Sequence, residues 1–343
     1  MRTTSNITHV CICGSAYALL QYLLLEAEDV IKNHTYYMVG SGVKPEIASQ
    51  LPQYTIFDTA PCHTLWQKIK RVFIKLNLRC TRERLFPFMN TATIYAQDYM
   101  YPIIAIGKRP YCMLQESPLH MTVNYGKNSQ DLERAKNHQQ SLSGKVEQWL
   151  YGEVLLSLPA STTQCQKVYL TEANDSPLLV GKKCEIHTLT SLWEQASNTK
   201  KDFVRSIFHI SKEEVQVPQG NVFLTQPLVD DNILTASEYK ALLDKLFAHY
   251  PSSELCVKVH PRDTYDYTTN FPNVQLMTKP INLELLFLLG WKCNRIISIC
   301  STAVNAIPND VGVDWFGTEI HPKLIAYFGS TMLPHRKYRK VEL

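Results

Sequence analysis

The chain has 343 residues, enough for two domains of ordinary size that each bury a core. Its formal charge of +4 is too small to imply nucleic-acid binding, and no run approaches the ~20 apolar residues that span a bilayer. The ten cysteines lack CxxC pairs and zinc-ligand spacing, and the N-terminus lacks the basic, apolar, small-residue order of a secretory signal. Reduced thiols and a cytoplasmic location are expected.

In chain order, residues 8–12 read as a strand, Gly14-Ser15 as a turn, and Tyr17, Leu20, Leu24 and Ala27 as one face of a helix. Strands follow at residues 36–39, 56–58 and 93–95, and residues 111–114 form another that ends at Gln115-Glu116-Ser117. Residues 127–161 are polar and helix-prone, and residues 168–170 add a short strand. Strands alternating with helices predict a parallel sheet covered on both faces. Gly14 is no dinucleotide fingerprint, because the GxGxxG spacing is missing.

One segment inside this half is unusually basic. Between Trp66 and Leu85 lie Lys68, Lys70, Arg71, Lys75, Arg79, Arg82 and Arg84, against Glu83 alone. Ile69, Val72, Phe73, Leu76 and Leu78 recur near helical spacing. The segment suits peripheral contact with an anionic membrane surface, such as the inner face of the membrane, as well as an ordinary solvated helix face. The cluster His335, Arg336, Lys337, Arg339 and Lys340 either extends such a patch or forms a frayed tail.

Polar residues around Ser197 and Lys201 and the turn at Val217-Pro218-Gln219-Gly220 mark a boundary. The expected domains are residues 1–215 and 216–343, with the last helix a candidate to pack back on the first domain. A second alternation follows: a strand at 221–225, a helix at 237–250, a strand running to His260 and a strand near 274–277. A helix at 282–289, a strand running to Cys300 and a helix from Thr302 complete it. The fold class expected is α/β, with two doubly wound Rossmann-like domains facing a cleft. By fold analogy this is the GT-B architecture of nucleotide-sugar glycosyltransferases.

Ligands bind at the carboxyl ends of strands in such sheets. His260-Pro261-Arg262 ends one apolar run, and Ser301-Thr302 ends the next but one. An imidazole there can protonate a leaving oxygen, and Arg262 can add charge-assisted bonds. Ser301 and Thr302, with the amides of the following helix start, can seat a phosphate. Each feature also has a plain reading, as a turn closing a strand or as a helix cap. Lys258 either lines the cleft or snorkels at the surface, and His321-Pro322, which follows no strand, reads as incidental.

Lys258-Val259-His260-Pro261-Arg262, Pro280 to Glu284 and Ser301-Thr302 resemble the motifs of bacterial sialyltransferases, in particular glycosyltransferase family 52 and the related polysialyltransferases. The resemblance implies an inverting, metal-independent transferase with no cofactor beyond its donor substrate. It would move sialic acid from CMP-sialic acid to a galactose-ended glycan of lipooligosaccharide or capsule type. The first domain would then be the acceptor side and the second the CMP side. Carried over, His260, Ser301 and Thr302 serve the CMP phosphate, with Arg262 assisting, and Glu284 accepts from the ribose. The family's first-domain motif of two acids and a glycine falls on Gln115-Glu116-Ser117, so Glu116 alone remains as base there. Asp230 or Asp231, beyond the end of the 221–225 strand, is the alternative base. A relative using another nucleotide sugar, or a binding module without turnover, remains open.

Overall fold

The computed structural model describes residues 6–118, 133, 137–151, 159–160, 162–173, 176, 179–211, 219–278, 281–329 and 336–343; of Gln219 and Thr302 it describes the backbone alone. Two compact units divide the chain, Met1–His209 and Ile210–Leu343.

The first unit is built on a seven-stranded sheet. Its strands are β1 (His9–Ser15), β2 (Thr35–Gly42), β3 (Tyr54–Ile56), β4 (Thr93–Ala96), β5 (Tyr111–Leu114), β6 (Cys165–Leu170) and β7 (Lys183–Ile186). The spatial order is β3-β2-β1-β4-β5-β6-β7, and each adjacent pair is parallel. Because the order reverses between β1 and β4, the crossovers leave an opening at their carboxyl ends. Apolar residues of both faces are buried, Val10, Ile12, Met38 and Ile94 on one and Cys11, Cys13, Tyr37 and Val39 on the other, as expected of a covered parallel sheet.

Helix α1 (Ala16–Leu25) starts where Ser15 accepts a hydrogen bond from the Ala18 amide, and eight of its ten residues are buried. Helix α2 (Leu65–Leu85) opens with a full capping box between Thr64 and Gln67. Helix α3 (Leu142–Tyr151) packs beside it, with Arg79 stacked at 4.3 Å on the Trp149 ring. Strand β7 was not foreseen. It is an exposed edge reading Lys-Cys-Glu-Ile, whose four residues are too short a run for their alternation to mark a strand. The polar segment around Ser197–Lys201 lies inside the first unit: Ser197 caps helix α4 (Asn198–Ile207), and Lys200 is buried. Its ammonium donates at 2.6 Å to the carbonyls of Leu24 and Glu26, closing the end of α1.

The second unit carries strands β8 (Gln219–Leu224), β9 (Leu255–Lys258), β10 (Gln275–Met277), β11 (Cys293–Ser298), β12 (Gly312–Trp315) and β13 (Arg339–Lys340). They run in the order β10-β9-β8-β11-β12-β13, again all parallel. Both units therefore place their first strand centrally and reverse between the first and fourth, which is the dinucleotide-fold order. Helices α5 (Ala236–Phe247), α6 (Leu283–Leu288) and α7 (Pro322–Phe328) accompany this sheet, α7 lying against Thr318–Ile320 of its own unit. The helix expected from Thr302 is instead a five-residue 3₁₀ turn, Thr302–Ala306. Pro308 holds Ile307 extended and stops it.

The C-terminal basic cluster is neither a frayed tail nor a free patch. Arg339 lies on the sheet edge and, with Arg295 and the Tyr250 hydroxyl, donates to the fully buried Asp314 carboxylate. Arg336 donates to the carbonyls of Ile307, Pro308 and Val311. His335 lies outside the described residues.

Candidate functional site

The second unit's switch point falls between β8 and β11, with β9 on the other side of β8. Adjacent strands lie about 4.8 Å apart, so the ends of β9 and β11 stand roughly 10 Å apart across the end of β8. That span admits one phosphate with a hydrogen bond of ~2.8 Å on each side.

His260 stands two residues past β9, half-buried. Its amide donates to the Thr225 hydroxyl at 2.8 Å, fastening the turn to the end of β8. The turn closes where the Asp263 amide donates to the His260 carbonyl at 2.9 Å, with Pro261 at the position that favours proline. The Arg262 amide donates to His260 Nδ1 at 3.1 Å. In the neutral ring Nδ1 is then the acceptor and Nε2 carries the proton. Burial, then the charges of Arg262 and Lys258, pull the His260 pKa down to about 4 against the pull of Asp231. The imidazolium expected from sequence is thus a neutral Nε2–H donor before an anion arrives.

Beneath the turn, Asp263 is buried and accepts from the Tyr267 hydroxyl at 2.8 Å and the Tyr265 amide at 3.2 Å, with Thr225 adding a third bond. The two acids proposed as alternative bases are both engaged in this loop. Asp230 accepts from the Thr264 amide at 3.0 Å and from its hydroxyl. Burial raises its pKa, but these bonds outweigh it and the net shift is downward. Asp231 receives the Arg262 guanidinium in bidentate fashion at 2.9 and 3.3 Å. Arg262, 65% exposed, is therefore committed to Asp231.

Lys258, at the end of β9, is 7% exposed rather than snorkelling, and its pKa falls to about 8 through burial, opposed by Glu284. Glu284 sits in the first turn of α6 behind the Asn282 cap, half-buried. Burial lifts its pKa to about 7, with Lys258 pulling the other way. Pro280 lies outside the described residues. At the end of β11, the fully buried Ser298 hydroxyl accepts from the Ser301 amide at 2.9 Å, and Ser301 caps the 3₁₀ turn. The Cys300 thiol donates to the Gln226 side chain at 2.8 Å, joining the ends of β8 and β11. Thr302 opens the turn, and its side chain lies outside what is described. With so short a turn, the end of β11 offers the Ser301 hydroxyl and backbone amides rather than a helix dipole.

The first unit holds Glu116. Next to it Gln115 is fully buried and structural: its amide donates to Gln21 at 3.1 Å, and its side chain bridges Thr171 and Glu172. Glu116 instead lines a cavity of about 350 Å³ with Gly14, Arg71, Lys75, Tyr99 and Tyr101 among its neighbours. Burial raises its pKa, opposed by a hydrogen bond from Tyr99. A carboxyl lifted in this way suits a base working near neutral pH. A Cβ on Gly14, next to the end of β1, would lie 2.1 Å from Met100 Sδ, so a side chain there would displace the Met100 thioether. Sequence reading missed Arg71 and Lys75 as cavity residues, since their basic helix gave no sign of which face turned inward. A larger cavity in the second unit, about 600 Å³, lies by α5 and the C-terminal strand, away from His260. Its acids Glu238 and Glu319 are already paired with Lys323 and Lys340.

Two dinucleotide-type sheets, with polar groups gathered at the carboxyl ends of their central strands, define the GT-B class of fold. The alpha-2,3-sialyltransferase of Photobacterium phosphoreum is similar in fold, with a TM-score of 0.57 at 9% identity over 98% of this chain and 99% of that one. A 2,6-sialyltransferase of a Photobacterium species, solved with CMP and lactose, gives 0.59 at 12% identity, covering 96% and 77%. The GT-B domain of a Photobacterium damselae sialyltransferase gives 0.53 at 11%, covering 95% and 96%.

The model of glycosyltransferase family 52 matches residues 141–324, more than half of the chain, and the chain belongs to that family. An uncharacterized protein of Haemophilus influenzae is 36% identical over 171 residues, which are 48% of this chain. The match spans about half the length of that curated relative, 54%.

Proposed function

We propose that this protein is an inverting, metal-independent sialyltransferase that moves sialic acid from CMP-sialic acid to a galactose-ended surface glycan of lipooligosaccharide or capsule type. The observation that carries this reading is the His260 turn, which presents an Nε2–H donor at a parallel-strand end across from Ser301. Glu116 takes the proton of the acceptor hydroxyl, whose oxygen bonds to the anomeric carbon as the bond from that carbon to the phosphate oxygen breaks. His260, charged once the phosphate is in place, donates its Nε2 proton to the departing oxygen. Ser301, Thr302 and the neighbouring amides hold the remaining phosphate oxygens, and Glu284 accepts from the ribose hydroxyls. Arg262 exchanges Asp231 for the phosphate or steadies the turn through it. Membership of family 52 and the CMP–lactose complex of the Photobacterium fold relative support the choice of donor and acceptor.

Thermal unfolding tests the donor. CMP at a hundred times its dissociation constant adds about 2.7 kcal/mol of stability, whereas UDP leaves the midpoint unchanged. A shift with UDP alone overturns the sialic acid reading, and absence of CMP-sialic acid turnover would leave a binding module.

We further assign α2 to an anionic membrane surface. No helix among the described residues is long and apolar enough to cross a membrane. Leu65 and Trp66 are each 74% exposed and Phe73 is 68% exposed; with Ile69 and Val72 they form one helical stripe. Lys68 and Lys70 flank it on either side, an arrangement that suits anionic lipid and repels a like-charged second copy. The protein should pellet with phosphatidylserine vesicles at low salt, and Trp66→Ser with Phe73→Ser should release it. Retention in the supernatant at low salt, or a dimer that the two substitutions dissolve, overturns the assignment.

A further inference from the structure

Helix α2 divides its apolar residues: Leu65, Trp66, Val72 and Phe73 are exposed, Ile74, Leu76 and Leu78 pack on the core, and two of its cations line a cavity. Arg71 and Lys75, one turn apart, both line the 350 Å³ cavity beside Glu116. Like charges at this spacing destabilise a helix, and enclosing them adds a desolvation cost. Their neutralisation inside the protein is thin. The Lys75 ammonium lies 5.3 Å over the Tyr151 ring and, among the described residues, forms no ion pair or hydrogen bond. Glu147, hydrogen-bonded to His138 at 2.8 Å, raises the Lys75 pKa through its charge but forms no ion pair with it. Arg71 lies 5.0 Å over the Tyr101 ring, donates to the Ala60 carbonyl at 3.1 Å, and reaches Asp58, 74% exposed, at 3.4 Å. Burial and the Arg71 charge lower the Lys75 pKa, as expected of a cation awaiting a counter-charge.

We propose that Arg71 and Lys75 form an anion subsite that holds the carboxylate or phosphate of an acidic sugar in this cavity. The volume is at the small end for ligand sites, which favours a single sugar unit over a nucleotide. Tyr99, Tyr101 and Tyr151 supply aromatic edges and faces for its ring. Binding itself stands apart from the transferase reading; only the division between donor sugar and acceptor, deciding which of them brings the anion, rests on it.

The test uses the full chain titrated with N-acetylneuraminic acid, galactose 6-phosphate and neutral lactose. At least one acidic sugar should bind more tightly than lactose. Lys75→Gln should weaken acidic-sugar binding about tenfold or more, and Lys75→Arg should largely retain it. An unchanged CMP thermal shift in Lys75→Gln certifies its fold. Failure of the native chain to respond to CMP would sink the donor reading while leaving this one standing. With CMP-sialic acid and an acidic acceptor, a KM rise confined to the acceptor assigns the anion there. A rise confined to CMP-sialic acid, with CMP affinity intact, assigns it to the donor sugar. Equal binding of lactose and the acids, or native-like binding by Lys75→Gln, overturns the subsite.

Discussion

The chain contains the sequence His-Pro-basic twice, and the two copies share a local geometry but not a setting. At both, the histidine Nδ1 accepts the amide two residues on: Arg262 to His260 at 3.1 Å, and Lys323 to His321 at 3.2 Å. His321 follows the short turn Thr318–Ile320 and caps α7, so its ring nitrogen is spent on a helix start. His260 follows a central-sheet strand, its amide is tied to Thr225, and Lys258 and Arg262 surround it with positive charge. A histidine that finishes a helix is a cap. One held beside two cations at a strand end is a poised anion partner, since an arriving phosphate relieves the repulsion.

The largest effect should come from His260→Ala, with a loss of 10²–10⁴-fold in transfer and near-native CMP protection, measured by turnover and thermal shift. Full activity in that variant would remove the distinction between the two histidines.

A smaller effect concerns protons. The surrounding protein holds His260 near pKa 4, below its unfolded value of 6.5. The unfolded chain therefore binds this proton more readily, and stability is lost as pH falls from 6.5 through 4. Phosphate binding reverses the shift, so CMP binding takes up a proton and weakens as pH rises through the bound-state pKa. Calorimetry in buffers of different ionisation enthalpy should show an uptake that His260→Ala diminishes and His321→Ala keeps; equal uptake in all three contradicts the assignment. The smallest effect is His321→Ala itself. Loss of a cap costs at most about 1 kcal/mol in denaturant unfolding and leaves kcat/KM unchanged. A tenfold fall in turnover would show that the second copy is more than a cap.

The regular alternation of apolar runs with helical stretches was readable because each strand buries its own residues wherever the sheet lies. Thus residues 111–114 and the strands before His260 and Ser301 appear where their patterns place them. Edges were harder. Strand β7 and the two-residue β13 are short and bury little, so their pattern does not stand out from the chain around them. Side-chain setting was harder still: a lysine at position 258 reads the same whether it is exposed or, as here, buried behind Glu284. Gln115 and Glu116, adjacent in the chain just past β5, part company: the first is bonded to Gln21, Thr171 and Glu172, and the second lines the cavity.

Fold class and the turn that carries His260 follow from local pattern and turn chemistry, which neighbouring residues specify together. The histidine's charge state, the commitment of Asp231 to Arg262 and the inward aim of Arg71 and Lys75 depend on residues far away in the chain. Burial and electrostatic potential are sums over spatial neighbours, and those sums exist only once the packed units bring distant segments together.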